Sequence, residues 1–101
     1  RMALTGDNID ASEAYRIGLV EFLVEEGEHL NKAKELASRM ARWSPVALGL
    51  AKQAVRVAFE KPLTEGLDDE RELFLSAFDS DDGREGVRAF VEKRRPNFKG
   101  R

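Results

Sequence analysis

Most of this chain is divided into short segments by residues that start α-helices. Asp10 is followed three residues later by Glu13, the pairing of a capping box. Ser44-Pro45 places a capping serine before a proline at the first helical position, and Thr64 and Ser80 are two further candidate N-caps. Start signals at this density leave room only for a series of short helices.

Between these signals, apolar residues recur at spacings of three and four, which is the pattern of a helix with one buried face. The pattern predicts helices at residues 11–17, 28–42, 45–60, 64–78 and 81–94. The first turn of the last helix carries two aspartates and its last turn the cations Lys93 and Arg94, as the helix dipole favours. We therefore predict a mainly α fold, one domain over residues 1–101 built as a small bundle of four to five short helices.

One segment has a different pattern. Residues 19–24, Leu-Val-Glu-Phe-Leu-Val, form a short apolar run, broken only by Glu21 and containing β-branched valines, that predicts a strand. No second strand pattern occurs, so the segment is either merely extended or paired with residues outside this chain. The chain opens at Arg1 in a stretch typical of the last turn of a helix, and we expect it to be a piece of a longer polypeptide.

Charge and cysteine content exclude several kinds of partner. The formal net charge of −2 gives no overall attraction to nucleic acid or to a membrane surface. No apolar stretch approaches the roughly 20 residues that cross a bilayer. The absence of cysteine and the single histidine leave no metal-ligand spacing, so we predict no metal site. A chain without cysteine also fits a reducing compartment, and we expect a cytoplasmic protein. We expect no tightly bound cofactor.

Cations cluster at the end of the chain, where residues 93–101 carry five of them and no acid. One interpretation is structural: Lys93, Arg94 and Arg95 neutralise the negative end of a helix, while Phe90 and Phe98 pack against neighbouring helices. The other is that the cluster holds an anion. No glycine-rich phosphate loop or nucleophile motif accompanies it, so we predict no catalytic residue in this chain.

Several segments follow one another in a specific order and spacing: Leu4-Thr5-Gly6, Ala11 to Ala14, Ile17 to Val20, Ser44-Pro45, Ala51-Lys52, Leu63 to Leu67, Glu85-Gly86, Ala89-Phe90, Glu92-Lys93-Arg94 and Pro96-Asn97-Phe98. Together they resemble the C-terminal part of the crotonase family, the enoyl-CoA hydratases and isomerases. Each segment is weak by itself, and their order over the whole chain makes the resemblance specific.

The resemblance implies a parent enzyme of fatty acid metabolism that acts on acyl-CoA thioesters. It would be an enoyl-CoA hydratase, an isomerase or a related crotonase, and hydration of the double bond of a 2-enoyl-CoA is the reaction we expect. Its oxyanion hole and catalytic glutamates would lie in a larger N-terminal domain, outside this chain, so these residues alone should be inactive. This segment would build the contacts of a homotrimer or hexamer and cover the acyl-CoA site. Coenzyme A is then part of the substrate, contacted by Phe90 and Lys93. The alternative is a stand-alone helical oligomerisation module without catalysis.

Overall fold

A computed structural model describes residues 1–101 and consists of helices and irregular connections. It divides into two compact units, residues 1–36 and 37–101. The helices are α1 Met2–Thr5, α2 Ala11–Arg16, α3 His29–Met40, α4 Pro45–Val57, α5 Leu63–Asp79 and α6 Asp81–Val91. The predicted mainly helical fold is confirmed, and every predicted helix is present. The structure adds one short helix to the five predicted ones, the single turn of α1.

In the first unit, Asp10 caps α2 and Gly18 ends it as the sequence predicts, whereas the second half of the predicted capping box is absent because the Glu13 carboxylate binds Arg16. The Asp10 carboxylate accepts a hydrogen bond from the Glu13 N–H at 2.7 Å, which caps the first turn. At the other end Gly18 lies at φ 74°, and the Leu19 N–H reaches back to the Ala14 carbonyl at 2.9 Å. This closing pattern needs a left-handed residue, which glycine provides without steric cost.

Residues 19–24 adopt no regular secondary structure and pair with no strand. The N–H groups of Leu19 and Val20 both donate to the Ala14 carbonyl and help to close α2, so they are not available to a β-ladder. The ring of Phe22 lies under the ammonium of Lys32, whose Nζ is 5.3 Å from the ring centroid. The segment is therefore an irregular connection that leads from α2 towards α3.

In the second unit, serine side chains cap α4 and α6 as predicted. Ser44 Oγ accepts from the Ala47 N–H at 3.2 Å, and Ser80 Oγ accepts from the Gly83 N–H at 2.9 Å. The predicted cap at Thr64 is wrong, because α5 begins at Leu63 with Pro62 in the N-cap position and no side-chain cap. The fixed φ of proline places the helix start two residues earlier than the hydroxyl pattern indicates.

The second unit packs α4 against α5 and α5 against α6, with a smaller contact between α4 and α6. Its fully buried side chains are few and mostly polar: Ala89 is 1% exposed, Asp82 2% and Ser44 6%. Most of the large apolar side chains of the whole chain remain exposed. No helix has the length and apolar character needed to cross a membrane.

Candidate functional site

The end of α6 joins an exposed aromatic ring to a cation in an unusual backbone conformation. Phe90, in the last turn, is 85% exposed. The helix stops at Val91, so the prediction that Lys93 and Arg94 lie in its last turn is wrong. Lys93 has a φ of 53° and is the only residue other than glycine with a positive φ.

Two backbone hydrogen bonds close α6 around Lys93. The Lys93 N–H donates to the Phe90 carbonyl at 3.2 Å, and the Arg94 N–H donates to the Ala89 carbonyl at 3.0 Å. This is a Schellman motif, whose left-handed position is usually glycine because a Cβ there is unfavourable. A lysine at that position costs on the order of 1 kcal/mol. Backbone strain of this kind is found at functional sites, so it makes Lys93 a candidate functional residue.

The guanidinium of Arg94 is occupied by two carboxylates. Its terminal nitrogens donate to Glu85 at 2.6 and 3.0 Å, and its Nε donates to Glu92 at 2.5 Å. These bonds raise the pKa of Arg94. The same bond from Arg94, followed by one from the Asn97 N–H at 2.9 Å, lowers the pKa of Glu85 to about 2. Of the adjacent cations, only the side chains of Lys93 and Arg95 are left without a partner.

The carboxylate of Asp82, near the start of α6, holds the last residues of the chain. It accepts from the N–H groups of Lys99 and Gly100 at 2.6 and 3.0 Å, and from Ser44 Oγ at 2.7 Å. The backbone of Asp82 donates to the Arg101 carbonyl at 2.9 Å. Burial acts to raise the pKa of Asp82, but the three donors outweigh it, and the pKa of this carboxyl is lowered.

These bonds fold residues 96–101 back along α6. The Phe98 ring lies over Gly86, where a Cβ would stand 3.7 Å from the ring edge. An open cleft of about 650 Å³ lies beside the tail, lined by residues 41–43 and 95–98, and Trp43 in it is 65% exposed. The tail is thus an ordered part of the second unit.

The structure brings the two predicted site residues, Phe90 and Lys93, to the same end of α6. The sequence analysis assigned no site role to Asp82 or Glu85. The signal that could have found them is their spacing of three on one helix, because that spacing places both carboxylates on the same face, where they can receive a returning chain.

Residues 1–101 match the sequence model of the family described as "Enoyl-CoA hydratase/isomerase". The chain belongs to this family. It is 46% identical over 101 residues to the 2,3-dehydroadipyl-CoA hydratase of Escherichia coli K12, and the matched residues make up 100% of this chain and 40% of that protein. It is 47% identical over 97 residues to the probable enoyl-CoA hydratase echA8 of Mycobacterium leprae, with 96% of this chain and 38% of the relative covered.

Solved structures of enoyl-CoA hydratases and isomerases agree with the fold. An enoyl-CoA hydratase/isomerase from Mycobacterium paratuberculosis superposes with a TM-score of 0.90 at 33% identity, over 100% of this chain and 39% of that one. A Geobacillus kaustophilus enoyl-CoA hydratase superposes with a TM-score of 0.87 at 37% identity, over 97% and 37%. The chain therefore spans about two fifths of the length of the family members it matches.

Proposed function

We propose that this chain is the C-terminal helical part of a longer cytoplasmic enzyme that hydrates the double bond of a 2-enoyl-CoA. Membership of the enoyl-CoA hydratase/isomerase family supports an acyl-CoA thioester as the substrate. Because the relatives extend over more than twice this length, the residues of the chemical step are assigned to the part of the enzyme outside this chain. Inside the chain, the proposed tasks are subunit assembly and contact with coenzyme A.

The contact with coenzyme A is assigned to Phe90 and Lys93, and one observation carries it. An exposed ring and an unpaired ammonium sit together at the end of α6, and the backbone that holds the ammonium is strained. The ring offers a flat apolar surface for the adenine end of the ligand, and the ammonium offers a positive charge for its phosphates. Helix C-termini disfavour anions, so the lysine must outweigh the dipole of α6.

The test is Lys93→Ala in the full-length enzyme. Loss of a point charge on a phosphate should raise the Michaelis constant for an acyl-CoA about fivefold at low salt, with kcat nearly unchanged. The effect should shrink as the ionic strength rises, because an exposed charge contact is screened. Arg84→Gln on the exposed side of α6 is the matched control. If Lys93→Ala leaves the Michaelis constant unchanged at low salt, Lys93 does not bind the substrate, and the cations at 93–95 serve to neutralise the negative end of the helix.

The proposal of assembly, as a homotrimer or hexamer, is supported by the exposed apolar side chains of α5. Phe74 and Phe78 stack with ring centroids 6.1 Å apart on one face of this helix, and both rings are more than half exposed. Apolar patches of this kind mark interaction surfaces in soluble proteins. Phe74→Asp should therefore lower the oligomer mass of the full-length enzyme, whereas Glu72→Gln on the same helix should not. An unaltered mass for Phe74→Asp would refute this part of the proposal.

The alternative, a stand-alone helical oligomerisation module, differs in what accompanies these residues. The intact mass of the natural polypeptide separates the two: a mass near 11.4 kDa favours the module, and a mass more than twice as large favours the enzyme. The 101-residue chain alone should not hydrate a short 2-enoyl-CoA. Turnover above background by a pure preparation would show that this segment contains a catalytic site of its own.

A further inference from the structure

The left-handed backbone of Lys93 has to be imposed by its surroundings. A residue with a Cβ holds such a conformation only where neighbouring contacts fix the chain on both sides. On the side of α6, the Schellman hydrogen bonds fix Lys93 to Phe90 and Ala89. These bonds are also made by ordinary glycine-ended helices, so they do not by themselves explain why a lysine is held there.

On the other side, the carboxylate of Glu85 makes most of the bonds that fix the chain. Glu85, whose side chain is 18% exposed, receives the fork of Arg94 and the backbone N–H of Asn97. Paired N–H donors on a carboxylate fix orientation as well as distance. Glu92 binds the third nitrogen of the same guanidinium. The residue directly after Lys93 is therefore tied to α6 about two turns before the helix ends.

These contacts pair the charge of Arg94 with carboxylates and leave the charge of Lys93 unpaired. Four of the five N–H groups of Arg94 donate within its own chain, to the carboxylates of Glu85 and Glu92 and to the Arg95 carbonyl. Lys93 has no side-chain partner. The two neighbouring cations thus have different tasks, one structural and one open to a ligand.

We propose that Glu85 and Arg94 are positioning residues that hold Lys93 where it meets the phosphates of the acyl-CoA substrate. The inference rests on the proposed contact between Lys93 and coenzyme A. Glu85 and Arg94 themselves do not touch the substrate. Their effect on substrate binding passes through the backbone of residues 92–95, so it exists only when the lysine side chain is present.

A double-mutant cycle in the full-length enzyme tests this dependence. Glu85→Gln removes the charge but keeps an oxygen for the Asn97 N–H, and Arg94→Gln removes the fork while leaving Glu85 intact. Each is made alone and in the Lys93→Ala background. Either single variant should raise the Michaelis constant about threefold with kcat nearly unchanged, less than Lys93→Ala because the ammonium is displaced and not deleted.

In the Lys93→Ala background, neither substitution should raise the Michaelis constant further, because interacting residues are non-additive. An equal rise in both backgrounds would overturn the inference, since the pair would then act without the lysine. The inference would also be overturned if Lys93→Ala raised the Michaelis constant but Glu85→Gln and Arg94→Gln did not. In that case the proposed contact between Lys93 and coenzyme A would still hold. If Lys93→Ala itself has no effect, the contact and the positioning role both fail. Far-UV circular dichroism confirms that each variant is folded, and Arg84→Gln serves as the charge control.

Discussion

Replacing Gly83 by alanine should disturb the corner between α5 and α6 more than a methyl group at any other glycine would. A Cβ at this position would stand 2.3 Å from the carbonyl oxygen of Ala77 and 2.5 Å from that of Phe78. Both distances are well inside 3.0 Å, a limit that real Cβ atoms essentially never pass. The atoms in the way belong to the backbone, so no side-chain rotation relieves the clash.

The cost can be worked from two opposing effects. Overpacking against atoms that cannot yield costs about 3 kcal/mol, the upper end of the usual range. Alanine in a helix recovers about 1 kcal/mol relative to glycine, which leaves a net loss of about 2 kcal/mol. For a domain of this size such a loss lowers the melting temperature by roughly 10 °C. Movement of the Ala77 carbonyl would also break its 2.6 Å bond from Ser80 Oγ, beside the cap of α6.

Gly86→Ala is the matched control, since it places the same methyl group on the same helix one turn later. Its Cβ would meet only the edge of the Phe98 ring at 3.7 Å, which is ordinary van der Waals contact. This variant should therefore be neutral or more stable than the unsubstituted chain. Thermal unfolding followed by circular dichroism compares the two variants. Equal melting temperatures would refute the steric argument.

Three further outcomes are expected. Ser44→Ala removes the cap of α4 and one of the donors to buried Asp82, and it should lower the free energy of unfolding by about 1 to 2 kcal/mol in urea titrations; a change within error would mean that water replaces the hydroxyl. Lys93→Gly relieves the left-handed strain and should raise stability by roughly 0.5 to 1 kcal/mol while still raising the Michaelis constant for an acyl-CoA, and a fall in stability would contradict the strain. The pKa of Glu85 is lowered from 4.5 to about 2, chiefly by Arg94, so its stabilising effect is complete above pH 4.5 and is lost as the pH falls towards 2. Glu85→Gln should flatten the pH dependence of the urea midpoint in that window, and an unchanged slope would show that the ion pair does not contribute.

Helix starts were predicted well because they depend on local chemistry. The capping hydroxyls of Ser44 and Ser80 and the carboxylate of Asp10 each act within three residues, and the structure confirms all three. The predicted N-cap at Thr64 is wrong because Pro62, two residues earlier, has a fixed φ that starts the helix at Leu63. The predicted helix ends differ by up to three residues, since helix ends depend on packing as well as on sequence.

The candidate site was only partly accessible to sequence reasoning. Phe90 and Lys93 were predicted from the resemblance to a family, and the structure places both residues at the C-terminal end of α6. The sequence could not show that Arg94 is paired with carboxylates while Lys93 is unpaired, because both are cations in one run. It depends on Glu85, which lies nine residues before Arg94 and meets it only when the chain turns back. The run 19–24 illustrates a similar limit, since its β-branched residues predict a strand but no partner strand is present.

The last residues are held through atoms that every amino acid except proline possesses. The carboxylates of Asp82 and Glu85 receive the backbone N–H groups of Asn97, Lys99 and Gly100, and no side chain of these three takes part. Replacing the side chain of Asn97 or Lys99 leaves the N–H groups in place, whereas the left-handed backbone of Gly100, at φ 77°, favours glycine. Inserting or deleting one residue after Arg94 instead brings the wrong N–H to each carboxylate. The number of residues in this stretch is therefore constrained more tightly than the identity of Asn97 or Lys99.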